Sequence, residues 1–262
     1  MCRFLAYHGE PILLEELIAS PSHSLIKQSQ HAAEGKTETN GDGFGVGWYG
    51  ERPEPGLYRE LRPAWSDENL WSICAQVRSK LFFAHVRAAT GTATTRANCH
   101  PFALGRFMFM HNGQIGGYRT IRRRIEALVP DELYDVRTGT TDTEAIFLAA
   151  ASRGLAVDPV AAISATLALV LQEMRRAGDT AARRYTAALT DGDGIWAFRW
   201  ASDAAPPTLY YRQDETGVIV VSEPIDDDRE DWHVVPSGHA LVAMHGTTPE
   251  LRPMELAVAL AA

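Results

Sequence analysis

Cysteine and positive charge are both scarce in this sequence. Its three cysteines, Cys2, Cys74 and Cys99, are too few and too scattered for a disulfide framework, so a reducing cytoplasm is the simplest compartment. Lys and Arg number 25 against 33 Asp and Glu, and the formal net charge is -8. Nucleic acids and anionic membranes attract concentrated positive charge. The one basic cluster, Arg122–Arg124, is short, so the sequence predicts neither a nucleic-acid nor a membrane partner.

Long apolar runs, internal repeats and low-complexity segments are also absent from the sequence. The longest apolar stretch, Val160–Leu171, is too short to span a bilayer, and no apolar run near the start is long enough for a signal peptide. Apolar residues make up 45% of the chain and charged residues 22%, which is ordinary for a soluble globular protein. Because no linker interrupts the sequence, we expect residues 2–262 to form a single domain.

Short strand-like runs recur along the chain, with helical patterns between them. The predicted strands are Cys2–Tyr7, Phe44–Tyr49, Leu81–Arg87, Phe107–His111, Tyr185–Leu189, Ile195–Trp200, Thr208–Arg212, Val218–Ser222 and Ala240–Met244. The predicted helices are Leu13–Ala19, Asp67–Arg78, Tyr118–Leu128, Thr143–Ser152 and Pro159–Arg176, the last with Asp158 as N-cap. Strands mixed around a helical middle indicate an α+β sandwich.

Cys2 is the first candidate for catalysis. Its side chain is small enough for removal of Met1 to be expected, which would leave an N-terminal cysteine. An α-amine has a pKa of about 7.7–8.0, so it could serve as general base for the thiol of the same residue. The alternative is that Cys2 is merely the first apolar residue of a strand. Its position alone favours that alternative, and other residues must decide.

Arg87 ends an apolar predicted strand. Side chains alternate across a strand, so Phe83, His85 and Arg87 should share one face. A guanidinium is rarely buried without an anion, and this one either meets a structural carboxylate or binds an anionic ligand. If the partner is a ligand, the planar fork suits a carboxylate.

The dipeptide Asn112-Gly113 follows the apolar run Phe107–Met110. Asn-Gly is the strongest short-range signal for a β-hairpin, and taken alone it predicts a turn. In a chemical interpretation, the Asn112 amide and the Gly113 backbone N–H point at one spot and form an oxyanion hole. The two interpretations are compatible, because a tight turn can aim two donors.

Asp142 opens the predicted helix that continues through Phe147. The simplest explanation is that it caps the helix N-terminus. Its hydroxyl neighbours Thr140, Thr141 and Thr143 could do so equally well, which would leave the carboxylate able to hold a substrate ammonium. The sequence alone ranks that second role lower.

Two other motifs are less informative. In Asn40–Trp48, no strand precedes the glycines and no helix follows them, so a phosphate-binding loop is rejected. Its alternating glycines instead predict a strand that another backbone approaches closely. Cys99 and His100 could offer two metal ligands, but no second pair has zinc-like spacing. We therefore expect neither a metal nor a cofactor.

Taken together and in order, these motifs resemble the signature of class II glutamine amidotransferases. The motifs that match are Met1–Phe4, Asn40–Gly45, Ala84–Arg87, Asn98–Phe102, His111–Gly113 and Thr141–Glu144. A later strand, Val218–Pro224, is also similar. The details most resemble the branch found in a yeast glutathione-degrading complex, and they are also similar to a branch that acts in ergothioneine biosynthesis.

The resemblance implies a four-layer αββα sandwich of the N-terminal-nucleophile hydrolase type. It implies that Cys2 attacks, that Asn112 and Gly113 stabilise the oxyanion, and that Arg87 and Asp142 hold the carboxylate and ammonium of a γ-glutamyl group. It also implies that His111 and Thr90 belong to the substrate-binding residues. The substrate would be a small γ-glutamyl compound.

Larger family members carry a synthase domain that consumes the released ammonia, and 262 residues leave no room for one. We therefore expect hydrolysis, or action together with a separate peptidase or synthase subunit. Two rival interpretations remain at this level. One is a noncatalytic subunit that keeps the fold for assembly or ligand sensing, and the other is a metal-binding module.

Overall fold

The computed structural model describes residues 2–34, 37–89, 91 and 93–256. The β-strands are β1 Arg3–Leu13, β2 Phe44–Trp48, β3 Gly56–Glu60, β4 Arg78–Val86, β5 Phe102–Leu104, β6 Phe107–Ile115, β7 Arg183–Thr190, β8 Gly194–Ala201, β9 Tyr210–Gln213, β10 Gly217–Val221, β11 His233–Val234, β12 His239–Met244 and β13 Glu250–Pro253. The α-helices are α1 Glu15–Ile18, α2 Leu25–Gln30, α3 Glu68–Gln76, α4 Tyr118–Glu126, α5 Asp131–Tyr134, α6 Asp142–Ala151 and α7 Pro159–Arg176.

The strands form two antiparallel sheets. The first sheet has seven strands in the order β11-β9-β10-β1-β4-β2-β3, and the second has six in the order β13-β12-β8-β7-β6-β5. The two sheets pack face to face, because inward side chains such as Phe4, Phe83 and Met108 share one buried apolar cluster. Strands β1, β4 and β6 therefore meet across the interior of the sandwich.

Helices cover the outer face of each sheet. Phe82 and other outward residues of the first sheet pack against α1, α2 and α3. On the second sheet, Phe109 stacks on Phe147 of α6, with ring centroids 5.2 Å apart, in a cluster that also includes α4 and α7. This arrangement is a four-layer αββα sandwich, as the family resemblance implied.

The predicted strands and helices are all present, with shifts of a few residues at their ends. Helix α7 has the predicted bounds, and the Asp158 carboxylate caps it by accepting from the N–H groups of Val160 and Ala161. The alternation predicted for β4 is confirmed, because Phe82 faces the helices and Phe83 faces the other sheet. No helix in the described part of the chain is long and apolar enough to cross a membrane.

The turn predicted at Asn112-Gly113 is wrong. Strand β6 runs through this dipeptide to Ile115, and Asn112 and Gly113 pair with Thr186 and Tyr185 of β7. Pairing with β7 along the whole of β6 outweighs the local turn preference, since each residue gains sheet contacts that a hairpin at this point would forfeit. The oxyanion hypothesis therefore has to rest on a strand and not on a turn.

Candidate active site

Strand pairing in the first sheet brings Cys2 and Arg87 close together. In the first sheet Arg3 pairs with Val86, so Cys2, just before β1, lies beside Arg87, just after β4. On the facing sheet, β6 carries His111, Asn112 and Gly113. Predicted residues from both sheets, together with Asp142 of α6, thus meet at one end of the sandwich, where Asn112 lies on β6 but is not among the residues that line the cavity.

A cavity of about 240 Å³ opens at this end. Five of the predicted site residues line it: Cys2, Arg87, His111, Gly113 and Asp142. Its outer wall is formed by Gly117, Tyr118 and Arg119 at the start of α4. Thr90, the remaining predicted substrate-binding residue, lies outside the described residues.

The thiol of Cys2 sits in a partly buried position. Its Sγ atom donates to the carbonyl oxygen of Ala88 at 3.6 Å. Burial raises the pKa of the thiol, while the Ala88 contact and the positive charges of Arg87 and Arg3 oppose that rise. The net direction is upward, so the thiol is protonated at neutral pH and needs a base before it can attack.

Asn112 is fully buried, with 0% of its surface exposed. Among the residues that the structure describes, neither Nδ2 nor Oδ1 of its amide has a hydrogen-bond partner. An unsatisfied buried polar group costs about 1–3 kcal/mol, and such a group calls for an explanation. A ligand oxygen at the amide is the explanation that the oxyanion hypothesis offers.

Gly113 has no room for a side chain. A Cβ atom at this position would lie 2.1 Å from the Arg184 carbonyl oxygen and 2.7 Å from Nε2 of His111. Glycine therefore lets β7 and the His111 ring approach the cavity wall at this point.

Asp142 does not cap helix α6, so that interpretation is wrong. The side chain of Thr141 is the N-cap and accepts from the Glu144 N–H at 3.2 Å. The Asp142 carboxylate accepts from the N–H groups of Ile115, at 3.1 Å, and Thr143, at 2.9 Å. These bonds and the positive end of the α6 dipole stabilise a negative charge at the cavity wall.

The Arg87 guanidinium donates hydrogen bonds to main-chain carbonyls. It donates to the Asp42 carbonyl oxygen at 3.4 Å and to the Ala93 carbonyl oxygen at 3.1 Å. The side chain of Asp42 is used elsewhere and accepts from the Ala89 N–H at 2.7 Å. Arg87 is 3% exposed, and its orientation is fixed by the loops on both sides of it.

Three buried histidines lie in or beside the cavity: His111, which the family resemblance placed among the substrate-binding residues, and His85 and His100, for which the sequence predicted no catalytic or substrate-binding role. His100 lines the cavity, and its Nδ1 is 2.9 Å from Nε2 of His85. His111 also lines it, with Nδ1 3.0 Å from the Thr143 hydroxyl. Burial lowers the pKa of all three rings, that of His85 to about 3, so they are neutral at physiological pH. For His85, the sequence feature that could have indicated a position near the site is its predicted placement on the same strand face as Arg87.

The glycine-rich strand β2 behaves as its pattern predicted. A Cβ atom at Gly45 would lie 2.1 Å from the carbonyl oxygen of His100, so the His100 backbone packs directly on this strand. The Cys99 thiol contacts the Glu60 and Thr95 carbonyls. Within the described ranges, no cluster of His, Cys, Asp and Glu has an arrangement suited to a metal ion.

Comparison with known proteins gives a consistent result. The family model for class II glutamine amidotransferases matches residues 1–205. A solved structure from Silicibacter pomeroyi, described as a glutamine aminotransferase class-II domain protein, is 38% identical with a TM-score of 0.78 and covers 97% of this chain and 99% of its own. The phosphoribosylpyrophosphate amidotransferase of Bacillus subtilis shares the fold, with a TM-score of 0.64 at 14% identity, across 98% of this chain and 50% of its own.

Two curated relatives are also similar. The probable glutamine amidotransferase DUG3 of Saccharomyces cerevisiae is 39% identical over 156 residues, which are 56% of this chain and 44% of the yeast protein. The match thus spans less than half of that relative. The γ-glutamyl-hercynylcysteine sulfoxide hydrolase of Mycolicibacterium smegmatis is 29% identical over 91% of this chain and 94% of its own length. With the family model matched over most of its length, the chain belongs to the class II glutamine amidotransferases.

Proposed function

We propose that the protein hydrolyses the γ-glutamyl amide bond of a small γ-glutamyl compound through a cysteine acyl-enzyme. The observation that carries this proposal is that Cys2, Arg87 and Asp142 line the same cavity. A nucleophile, a cation and an anion in one small site match the three parts of a γ-glutamyl group: its amide, its α-carboxylate and its α-ammonium.

The nucleophile and its base come from one residue. In the mature chain, the α-amine of Cys2 takes the proton of the thiol, and Sγ attacks the γ-carbonyl carbon of the substrate. The raised pKa of this thiol makes such a base necessary. The protonated amine then gives its proton to the leaving nitrogen as the carbon–nitrogen bond breaks, which leaves a thioester.

The oxyanion of the tetrahedral intermediate is stabilised by the Asn112 side chain and the Gly113 N–H. The unsatisfied Asn112 amide supports this role, because it needs no reorganisation before it donates. The α-amine next activates a water molecule, which attacks the thioester and releases glutamate and free Cys2. The thiol proton leaves with the leaving amine, and the proton that the α-amine takes from water passes to Sγ as the carbon–sulfur bond breaks, which restores the thiol.

The γ-glutamyl end of the substrate is recognised by a pair of opposite charges. Arg87 binds the α-carboxylate and Asp142 the α-ammonium, while His111 and Thr90 complete the binding site. These residues bind the α-carboxylate and α-ammonium end of the substrate, which is the end distant from the leaving group. The leaving group can therefore be ammonia, as in glutamine, or a larger amine, as in a glutathione-like peptide.

The relatives support both versions of the leaving group. One is named a glutamine amidotransferase and the other a γ-glutamyl-hercynylcysteine sulfoxide hydrolase. We favour a glutathione-like substrate, because the sequence motifs most resemble those of the glutathione-degrading branch. A separate peptidase or synthase subunit would then process the released peptide or ammonia.

Glutamate release from three substrates tests this function. Glutamine and glutathione should be cleaved, and α-glutamyl-cysteine should not, because its γ-carboxyl carries no amide. Cys2→Ala should abolish turnover. Cys74→Ala is the matched control, because Cys74 is a buried thiol packed among the helices of the first sheet, outside the cavity. Efficient cleavage of the α-linked peptide, or turnover by Cys2→Ala, would contradict the proposal.

A further inference from the structure

Arg3, the residue after the nucleophile, forms a fully buried ion pair. Its Nε lies 2.8 Å from Oε2 of Glu223, and the two side chains are 1% and 0% exposed. The Nε–H is not aligned for a hydrogen bond with that oxygen, so the contact is chiefly a charge pair. Two charges buried so completely are expensive to desolvate and weak evidence of a contribution to stability. A functional role therefore explains the pair better than a contribution to stability does.

The guanidinium also reaches back to the nucleophile. Its Nη1 donates to the carbonyl oxygen of Cys2 at 3.0 Å. Fixing this carbonyl restricts rotation about the Cα–C bond of Cys2. That rotation sets where the α-amine and the thiol lie relative to β1. A partial rotation about this bond would move both groups away from the cavity.

Glu223, the other member of the ion pair, has several further hydrogen-bond partners. The Glu223 carboxylate accepts from the N–H groups of Ala33, at 2.8 Å, and Glu34, at 3.0 Å, and it contacts Nε2 of His23. Burial raises the pKa of Glu223, but these hydrogen bonds and the charge of Arg3 outweigh burial and hold that pKa below its ordinary value. Glu223 is therefore a fixed anion, which keeps the Arg3 fork in one place.

The strands beside the pair are tied at the same point. The Phe4 N–H donates to the Ser222 hydroxyl at 3.0 Å, and the Ser222 N–H donates to the Phe4 carbonyl at 3.1 Å. Residues 3 and 4 are thus locked to residues 222 and 223. Cys2 is the first residue before these contacts, and the Arg3 side chain fixes the Cys2 carbonyl as well by donating to it.

We propose that the Arg3–Glu223 pair is a positioning device that orients the amine and thiol of Cys2 for attack. Neither residue lines the cavity, so both act through Cys2 and not on the substrate. The proposal rests on the proposed function of Cys2. It predicts that the pair matters for the chemical step and not for binding of the γ-glutamyl group.

Two variants separate positioning from folding. Glu223→Gln removes the anion but keeps a side chain of the same shape. Arg3→Lys keeps a cation beside Glu223 but loses the fork that spans the carboxylate and the Cys2 carbonyl. Each should lower kcat about 10–10²-fold, because small displacements of a reacting group have effects of this size. KM should change by less than about threefold, because the charges that bind the substrate are untouched.

The matched control is Asp226→Asn. It breaks the ion pair between Asp226 and Arg212, which are 2.7 Å apart near the same segment. In the part of the chain that the structure describes, neither of them forms a hydrogen bond or ion pair with Cys2. Its kcat should stay within about twofold of wild type. Activities are expressed per folded molecule, from thermal unfolding. Labelling of Cys2 by 6-diazo-5-oxo-L-norleucine should slow in Glu223→Gln and Arg3→Lys in proportion to kcat.

The results distinguish this proposal from the proposed function. If the wild-type protein has no Cys2-dependent activity, the proposed function fails whatever the variants do. If the wild type is active and either variant keeps its kcat and labelling rate, the positioning role is wrong while the function stands. A defect confined to KM would also overturn it. If Glu223→Gln does not fold, Arg3→Lys decides the outcome.

Discussion

Replacement of Asn112 by leucine should separate catalysis from stability. The two side chains have the same number of heavy atoms and a similar branched shape, but leucine can neither donate nor accept a hydrogen bond. Losing one oxyanion donor lowers kcat about 10²–10³-fold. Because the proposed substrate contacts, Arg87 and Asp142, are unchanged in this variant, KM should change little.

The same substitution should not lower stability. Asn112 is fully buried, and in the described part of the chain both its amide atoms lack partners, so leucine removes an unsatisfied group that costs about 1–3 kcal/mol. The free energy of unfolding should stay equal or rise by up to that amount. For a chain of this size each kcal/mol corresponds to about 2–4 °C in Tm.

Asn98 provides the matched control. It is also fully buried, but its amide donates to the Ala93 carbonyl at 2.8 Å and accepts from the Thr140 N–H at 2.8 Å. Asn98→Leu should therefore lower Tm, while Asn112→Leu should not. Urea unfolding and steady-state kinetics on both variants give the comparison. An Asn112→Leu protein with wild-type kcat, or one that is strongly destabilised, would refute the reasoning.

Three further predictions follow from the site and its supports. Asp142→Asn should lower kcat/KM about 10–10²-fold by removing one charged hydrogen bond to the substrate. Asp131→Asn, on the exposed α5, is the control and should leave kcat/KM unchanged. Equal effects in the two variants would argue against the proposed contact between Asp142 and the α-ammonium. The low pKa of His85, about 3, means that the unfolded state binds its proton first on acidification, so unfolding free energy should fall between pH 6.5 and about pH 3, by at most about 1.4 kcal/mol per pH unit. His85→Gln should reduce that slope in urea titrations at several pH values, and an unchanged slope would count against a neutral buried ring. Asp158→Ala should lower the free energy of unfolding by about 1 kcal/mol through loss of the α7 cap, with kcat unchanged in the same assay.

Much of the fold could be predicted because its long elements carry strong periodic patterns. Helix α7 has a cap, a proline in its first turn and a continuous apolar face, and its bounds were predicted without error. The short edge strands β3, β5, β11 and β13 were missed. Each pairs with only one neighbour, so few of their side chains are buried and no alternating pattern appears.

The site residues could be named from their motifs, but their local roles could not. Asn112-Gly113 carries a turn signal, and only the pairing with β7 shows that the strand continues. Thr141 and Asp142 are both good helix caps, and the choice between them depends on the Ile115 N–H that reaches Asp142 from β6. Local sequence does not contain that contact.

Contacts between distant segments explain what the sequence analysis did not find. Arg3 and Glu223 lie near opposite ends of the chain and meet only because β1 pairs with β10. The pair of His85 and His100 likewise depends on the packing of the His100 backbone against β2. No periodicity or short motif encodes either contact.

The identity of the nucleophile is tested most directly by intact mass spectrometry of the purified protein before and after reaction with 6-diazo-5-oxo-L-norleucine. The account predicts a chain that lacks Met1 and gains a single adduct, mapped to Cys2, with no adduct on Cys2→Ala. Labelling of Cys74 or Cys99 in place of Cys2, or a homogeneous and fully active protein that retains Met1, would contradict the account.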